Sequence, residues 1–259
     1  MSIKIFRKEA YGMFEHFIIM ASSYHKGTRI ALQYVYSGGV DKNEIQGVLE
    51  SFEQAGDGKF AYSTHYICTE CDDWNSVVSY DPFFEDVYVV ESIEEMLYLL
   101  KKDLQITGLD IAKYILTKRR CTHLALEKLT YLCYADYLCK YQKRLCEDTI
   151  YAFTYGPVMD SVYEKYSRHK EVLGGEITET VAKSRILLLS DGLERIESID
   201  DTLKKYEKCS AGDMVEVTHA KGSPWNMKDA SKYYQVIDDE LILERHSVED
   251  EYFREKLRS

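Results

Sequence analysis

From Thr122 to Leu138 the apolar side chains Leu124, Leu126, Leu129, Leu132, Cys133, Ala135, Tyr137 and Leu138 recur on nearly every side of a helix rather than along one stripe. A helix with so little polar surface must be surrounded by other elements, so it belongs at the centre of its domain. The flanking segments supply candidates. Thr107 with Asp110 predicts a helix start before Ile111, Tyr114 and Ile115, ending at Lys118-Arg119-Arg120, where positive charge suits a helix C-terminus. Gly156-Pro157 reads as another helix start, with Val158, Val162, Tyr163 and Tyr166 at helical spacing. Ile186 to Leu189 reads as a buried strand, Leu203 to Cys209 and Asp213 to His219 as helices, and Val248 to Leu257 as a charged amphipathic helix. Ser223-Pro224-Trp225 reads as a fixed turn.

The first hundred residues have a different pattern. Strand-like Ile3-Lys4-Ile5-Phe6 and Ile30 to Tyr36 flank a helically periodic run through Tyr11, Phe14, Phe17 and Ile18. Asp41 with Glu44 predicts a helix start for Ile45, Val48, Leu49 and Phe52, and Ser92 with Glu95 predicts another for Ile93, Met96, Leu97, Leu99 and Leu100. Phe60 to Ile67, Ser76-Val77-Val78 and Val87 to Val90 read as strands between Asp- and Pro-containing turns. The expected architecture is α+β: a small mixed α/β domain over 1–105, then a mainly helical domain with a short sheet over 106–259.

Charge follows that division. The chain has 33 Lys and Arg against 44 Asp and Glu, a net charge of −11, of which −8 falls in residues 1–105. No basic residue stands between Lys59 and Lys101, while Glu70, Asp72, Asp73, Asp81, Glu85, Asp86, Glu91, Glu94 and Glu95 do. Such a segment reads as a solvated face, with a docking site for a basic partner, centred on Glu91, Glu94 and Glu95, as the alternative. The negative balance argues against nucleic acid as a partner. No apolar run approaches the ~20 residues of a membrane span, and no signal peptide or membrane contact is expected. Seven cysteines, mostly in helical or apolar stretches, fit reduced thiols and a cytoplasmic location. The 22 tyrosines, against 9 Phe and 2 Trp, are the outstanding compositional feature: an apolar ring with a polar tip suits half-buried positions and contact surfaces.

Little points to catalysis. Phosphate-binding glycine loops, nucleophile elbows and H-E-x-x-H are absent, and no catalytic residue or cofactor is expected. His65, Cys68 and Cys71 have metal-like spacing, but a closed zinc site needs four ligands and no second pair exists. They are weak metal candidates, and the plainer reading is two thiols near a strand end. A metal-dependent or thiol enzyme centred on them is a third functional class.

Four blocks carry a resemblance: Ile111 to Leu116; Leu126-Glu127-Lys128-Leu129-Thr130-Tyr131-Leu132 with Tyr134; Ala152-Phe153-Thr154-Tyr155-Gly156-Pro157-Val158 with Val162-Tyr163; and Thr218-His219 with Ser223-Pro224-Trp225. Together the stretch from Asp110 to Trp225 resembles the Panacea domain, the family that includes SocA-like and GepA-like phage-associated proteins. Glu127 and Thr130 stand where Gln and Leu are more often expected.

The resemblance implies a mainly helical antitoxin domain of bacterial or prophage toxin–antitoxin operons, working by binding a protein toxin, often with a variable N-terminal domain. It implies as partner a toxin encoded next door. Its motif residues Tyr131, Tyr134, Tyr155, Gly156, Pro157, Val158, Tyr163, Thr218, His219, Pro224 and Trp225 become candidates for partner contact, although Gly156-Pro157 and Ser223-Pro224-Trp225 are equally well explained as fold-defining turns. A phage anti-defence protein, whose acidic N-terminal domain blocks a host nucleic-acid-binding protein, is the competing function.

Overall fold

The computed structural model describes residues 13–175, 178–228, 232 and 234–258. The chain is α+β and divides into two compact units, Met1–Leu104 and Gln105–Ser259. The strand expected at Ile3 to Phe6, and Tyr11, lie outside the described residues.

In the first unit, β1 (Phe14–Ser23) and β2 (Thr28–Tyr36) form an antiparallel pair, α1 (Lys42–Gly56) follows, and β3 (Ser63–Thr69) returns along the other edge of β1. Then come α2 (Trp74–Tyr80), a 3-10 turn at Pro82–Phe84, β4 (Val87–Val89) parallel to β2, and α3 (Ile93–Asp103), giving the sheet order β3-β1-β2-β4. Alternation along β1 sends Ile19 and Ala21 to one face, where they pack with Phe52 of α1 and Met96, Leu99 and Leu100 of α3. Ile18 and Met20 face the other side, with Val77 of α2 and Phe84.

That double burial explains one correction. The run through Phe14, Phe17 and Ile18 is strand, not helix, because a strand covered on both faces loses its polar–apolar alternation and its period becomes ambiguous. Ser76-Val77-Val78 is helix rather than strand: Asp73 accepts the Ser76 N–H at 2.8 Å and caps α2, outweighing the β-branched pair. The caps read at Asp41 and Ser92 form as expected, Asp41 accepting from Asn43 and Glu44 and Ser92 from Glu95.

The second unit begins with α4 (Gly108–Lys118), entered through the Thr107–Asp110 capping box, and α5 (His123–Tyr141), capped by Thr122. The hairpin β5 (Ile150–Phe153) and β6 (Gly156–Met159) leads into α6 (Asp160–Tyr166), followed by α7 (Glu179–Leu187), α8 (Gly192–Lys205), α9 (Ala211–Thr218), β7 (Gln235–Val236) and α10 (Asp239–Arg258). β5 is the middle strand of an antiparallel sheet of order β6-β5-β7. Every residue of α5 from Ala125 to Ala135 is buried, with α4, α8, α9, α10 and β6 packed around the helix. Gly156-Pro157 starts a strand, not a helix; the helix begins at Asp160. Ile186 lies in helix α7 and Leu188 caps it, so the expected strand there is a helix end. Arg119 of the basic cluster donates to the carbonyl of Tyr206, the residue capping the end of α8.

In the second unit, tyrosines and carboxylates pair across the core. Tyr114 of α4 donates its hydroxyl to Asp200 of α8 at 3.0 Å, and Tyr137 of α5 donates to Glu194 of α8 at 2.9 Å. Tyr131 and Tyr134 of α5 donate to Glu249 at 3.2 Å and Asp239 at 2.6 Å, both on α10. Each ring fills core volume while its hydroxyl satisfies a carboxylate, so one residue type supplies apolar burial and a directional cross-link. Burial, and after it the carboxylate acceptors, push these phenols above their ordinary range, Tyr114 up to about 12.

Candidate functional site

The motif residues converge on the β5–β6 hairpin. Lys128 and Glu127 sit side by side in the middle of α5, both buried. The Lys128 ammonium donates to the Pro157 carbonyl at 2.6 Å, and the Glu127 carboxylate accepts the Met159 N–H at 3.3 Å. From the opposite side the Trp225 indole donates to the Phe153 carbonyl at 2.7 Å. Three side chains thus hold the hairpin backbone at three points.

Gly156 shows why the turn needs its sequence. Its φ is +106°, and a Cβ there would come 2.9 Å from Cε of Lys128 and 3.0 Å from Oγ1 of Thr218. Thr218 is fully buried at the end of α9, and its carbonyl accepts from Ser223 at 2.7 Å, closing the turn that carries Pro224 and Trp225. His219, capping α9, stacks on Trp225 with centroids 3.5 Å apart and planes 3° from parallel. Burial, and then the Lys128 charge, push its imidazole down to about 4, so it is neutral at pH 7. Burial raises the Glu127 pKa and lowers that of Lys128, each charge partly offsetting the cost of the other.

Gly156, Pro157, Val158, Thr218, Ser223 and the Trp225 indole therefore serve the fold directly. Tyr131 and Tyr134 are fully buried and engaged with Glu249 and Asp239, which corrects their reading as partner contacts: in this conformation no partner can touch them. Tyr155 and Tyr163 are different. Tyr155, at the hairpin tip, is 69% exposed and Tyr163 is 39% exposed. Beside them, Phe153 contacts Tyr163 at 4.8 Å and Tyr234 at 5.7 Å, and Tyr234 contacts Tyr151 at 5.5 Å, all edge to face. Tyr151, Phe153, Tyr163 and Tyr234 form one aromatic cluster on this sheet, for which Tyr151, Phe153 and Tyr234 had no distinguishing signal in the sequence.

The acidic candidates separate as well. Glu95 is committed locally, accepting from the Tyr88 hydroxyl at 3.0 Å and the Glu91 N–H at 2.9 Å, whereas the Glu91 and Glu94 side chains reach solvent. His65 and Cys68 are three apart on β3 and project to opposite faces of the sheet, so the strand does not bring His65, Cys68 and Cys71 together as one ligand set.

Among the described residues, Asp136, His246 and Asp250 do place three ligating atoms within 4.8 Å of one another. A cation already serves that cluster: the Lys205 ammonium lies 3.0 Å from Asp136 and 2.6 Å from Asp250. His246 is bound through both nitrogens, to Glu249 at 2.6 Å and Asp136 at 2.8 Å. Burial opposes its charge, but those two carboxylates outweigh burial and raise its pKa to about 9; burial likewise opposes the Asp136 charge, yet His246 and Lys205 hold that acid at about 2. An imidazolium with both N–H groups engaged offers no lone pair to a metal. The cluster is a salt-bridge network joining α5, α8 and α10. The sequence signal for Asp136 and Lys128 was charge within the otherwise apolar α5; Lys205, His246 and Asp250 stand in polar stretches and carried none.

The motif residues gather on one buried Lys-Glu pair and one hairpin, and residues 126–226, which contain them, match the family described as antitoxin SocA-like, Panacea domain. The chain is also similar to the antitoxin SocA of Caulobacter vibrioides (strain NA1000 / CB15N), 27% identical over 110 residues, 41% of this chain and 58% of that protein. The chain thus spans somewhat more than half the length of that curated relative. No solved structure matches. No helix among the described residues is long and apolar enough to cross a membrane.

Proposed function

We propose that this protein is the antitoxin of a bacterial or prophage toxin–antitoxin system and neutralises a protein toxin by direct, non-catalytic binding. The observation that carries the reading is the SocA-like match, which covers α5, the β5–β6 hairpin and the Thr218–Trp225 turn as one structural assembly. A tightly held hairpin exposing aromatic side chains suits binding, because rigid rings bury area with little loss of conformational freedom. The acidic segment of the first unit steers a partner of opposite charge. Co-expression with each neighbouring gene tests the reading: one neighbour is toxic alone, is rescued by this chain and co-purifies with it. If no neighbour is toxic and none forms a complex, the reading is wrong.

A further inference from the structure

Among the edge strands of the two sheets, β3 lacks the usual protection. β4 has only three residues and β7 only two, and the backbone of the four-residue β6 is taken up by Lys128 and Glu127. β3 runs for seven residues, paired to β1 in unbroken register from Thr69 opposite Phe14 to Ser63 opposite Met20, with no bulge, no Pro and no Lys. Alternate residues of such a strand turn their N–H and C=O groups away from β1, and among the described residues nothing bonds them. Edges of this kind are normally shortened, bulged or charged, because they template pairing with another chain. The two faces of β3 also differ. On one, His65 packs 5.3 Å from Phe84 and Ile67 is buried with Val77. On the other, Thr64 and Tyr66 are exposed, Tyr66 at 56%. Charge gathers at one end of the strand: Glu15 stands opposite Cys68 on the exposed face, and the chain leaves β3 through Glu70, Asp72 and Asp73. Among the described residues none of these four acids has an ion-pair partner.

We propose that the free edge of β3 takes up an extended segment of a partner protein as an added strand, with Lys or Arg side chains at the end that lies beside Thr69 to Asp73. The source of that segment, the toxin, rests on the antitoxin reading; the chemistry rests on the first unit alone. Main-chain hydrogen bonds along β3 supply the pairing, and side chains opposite Thr64, Tyr66 and Cys68 select the sequence. The acids fix the charge of the incoming end, because they lie in the same unit as the edge and directly continue its strand. They also disfavour a second copy of this chain as occupant. A parallel pairing would set acid against acid, and in either direction two copies of residues 1–105, each carrying −8, repel on approach.

Two measurements test this. The full chain is mixed at millimolar concentration with a peptide of alternating valine and threonine ending in tri-lysine, with a counterpart ending in tri-glutamate, and with the lysine peptide N-methylated at alternate residues. Backbone amide exchange is read residue by residue by NMR. With the unmethylated lysine peptide alone, alternate amides from Thr64 to Cys68 are expected to exchange roughly tenfold or more slowly. That protection is expected to vanish in T64K/Y66K and to weaken in E70K/D72K, each with an unchanged circular dichroism spectrum. No protection by the lysine peptide, or equal protection by the glutamate peptide, overturns the proposal. So does a chain that sediments as a dimer with these amides already protected, which assigns the edge to a second copy. In the complex with a toxin established by growth rescue, T64K/Y66K is expected to bind roughly tenfold or more weakly. Undiminished binding there overturns the toxin as source of the strand while leaving the antitoxin reading intact. Failure of every neighbour to be rescued removes the antitoxin reading, and the peptide experiment still decides the edge.

Discussion

Tyr131, fully buried on α5, donates its hydroxyl to both carboxylate oxygens of Glu249 on α10, 3.2 Å from each and 118 positions further along the chain. Glu249 is also fully buried and accepts from His246 at 2.6 Å, so one carboxylate joins the central helix to the C-terminal helix through two different donors. Such a group is costly to bury unless its hydrogen bonds are made, which makes the pair sensitive to loss of either partner.

Tyr131→Phe keeps the ring and removes one donor to a buried carboxylate. It should destabilise the protein by about 1–3 kcal/mol in urea unfolding. Tyr155→Phe, whose hydroxyl meets solvent, should change stability by less than about 0.5 kcal/mol. Equal effects at the two positions would contradict the division between cross-linking and surface tyrosines.

Lys128→Met removes the cation beside buried Glu127 and the donor to Pro157, and should cost about 3 kcal/mol or more. Adding Glu127→Gln should recover part of that loss, because a neutral amide oxygen still accepts the Met159 N–H. Melting temperatures of the two variants and the double variant form the required cycle; strict additivity would show that the two side chains act independently.

Gly156→Ala should cost more than about 1 kcal/mol, since φ of +106° strains any side chain and the added carbon meets Lys128 and Thr218. Gly175→Ala, where φ is +94° but nothing among the described residues stands within 4 Å, separates backbone strain from steric overlap: the difference between the two melting temperatures measures the overlap.

Stability should fall on the alkaline side for an identifiable reason. His246 has a folded pKa raised to about 9 from an ordinary 6.5, so its contribution is complete below pH 6.5 and is lost as the pH rises through 9. The full linkage is about 3 kcal/mol. His219 has the opposite sign: its folded pKa is lowered to about 4, so its contribution is present above pH 6.5 and is lost as the pH falls through 4. Urea midpoints from pH 4 to 10 should show both limbs, and His246→Gln should flatten the alkaline one alone.

Glu91→Lys with Glu94→Lys should slow association with a confirmed toxin by several-fold at low salt and weaken the salt dependence, read in stopped-flow or surface-binding rates. Glu95 is left in place because it accepts from Tyr88 and the Glu91 N–H beside the start of α3. An unchanged rate would make this segment a solvated face and nothing more.

Much of the fold is legible where local chemistry is decisive. Asp41, Ser92, Thr107 and Thr122 open helices because their side-chain oxygens stand where free backbone N–H groups must be satisfied. The central position of α5 follows from its lack of a polar face. The run through Phe14, Phe17 and Ile18, Ser76 to Val78 and Ile186 to Leu189 differ from expectation because short apolar runs have no decisive period, and packing or a cap chooses their conformation. The candidate site was legible as motifs but not as roles: Tyr131 and Tyr155 look alike in sequence, and one is core while the other is surface.

The sequence by itself determined that tyrosine and acid are in excess, that the negative charge concentrates in the first 105 residues, and that one helix must be enclosed. Only the tertiary structure decided which tyrosines satisfy those acids. Partners such as Tyr114 and Asp200, 86 positions apart, or Tyr134 and Asp239, 105 apart, meet only when the helices are packed. Composition supplies donors and acceptors without saying which will be adjacent; packing makes some of them neighbours and leaves others, such as Tyr155 and Tyr234, exposed.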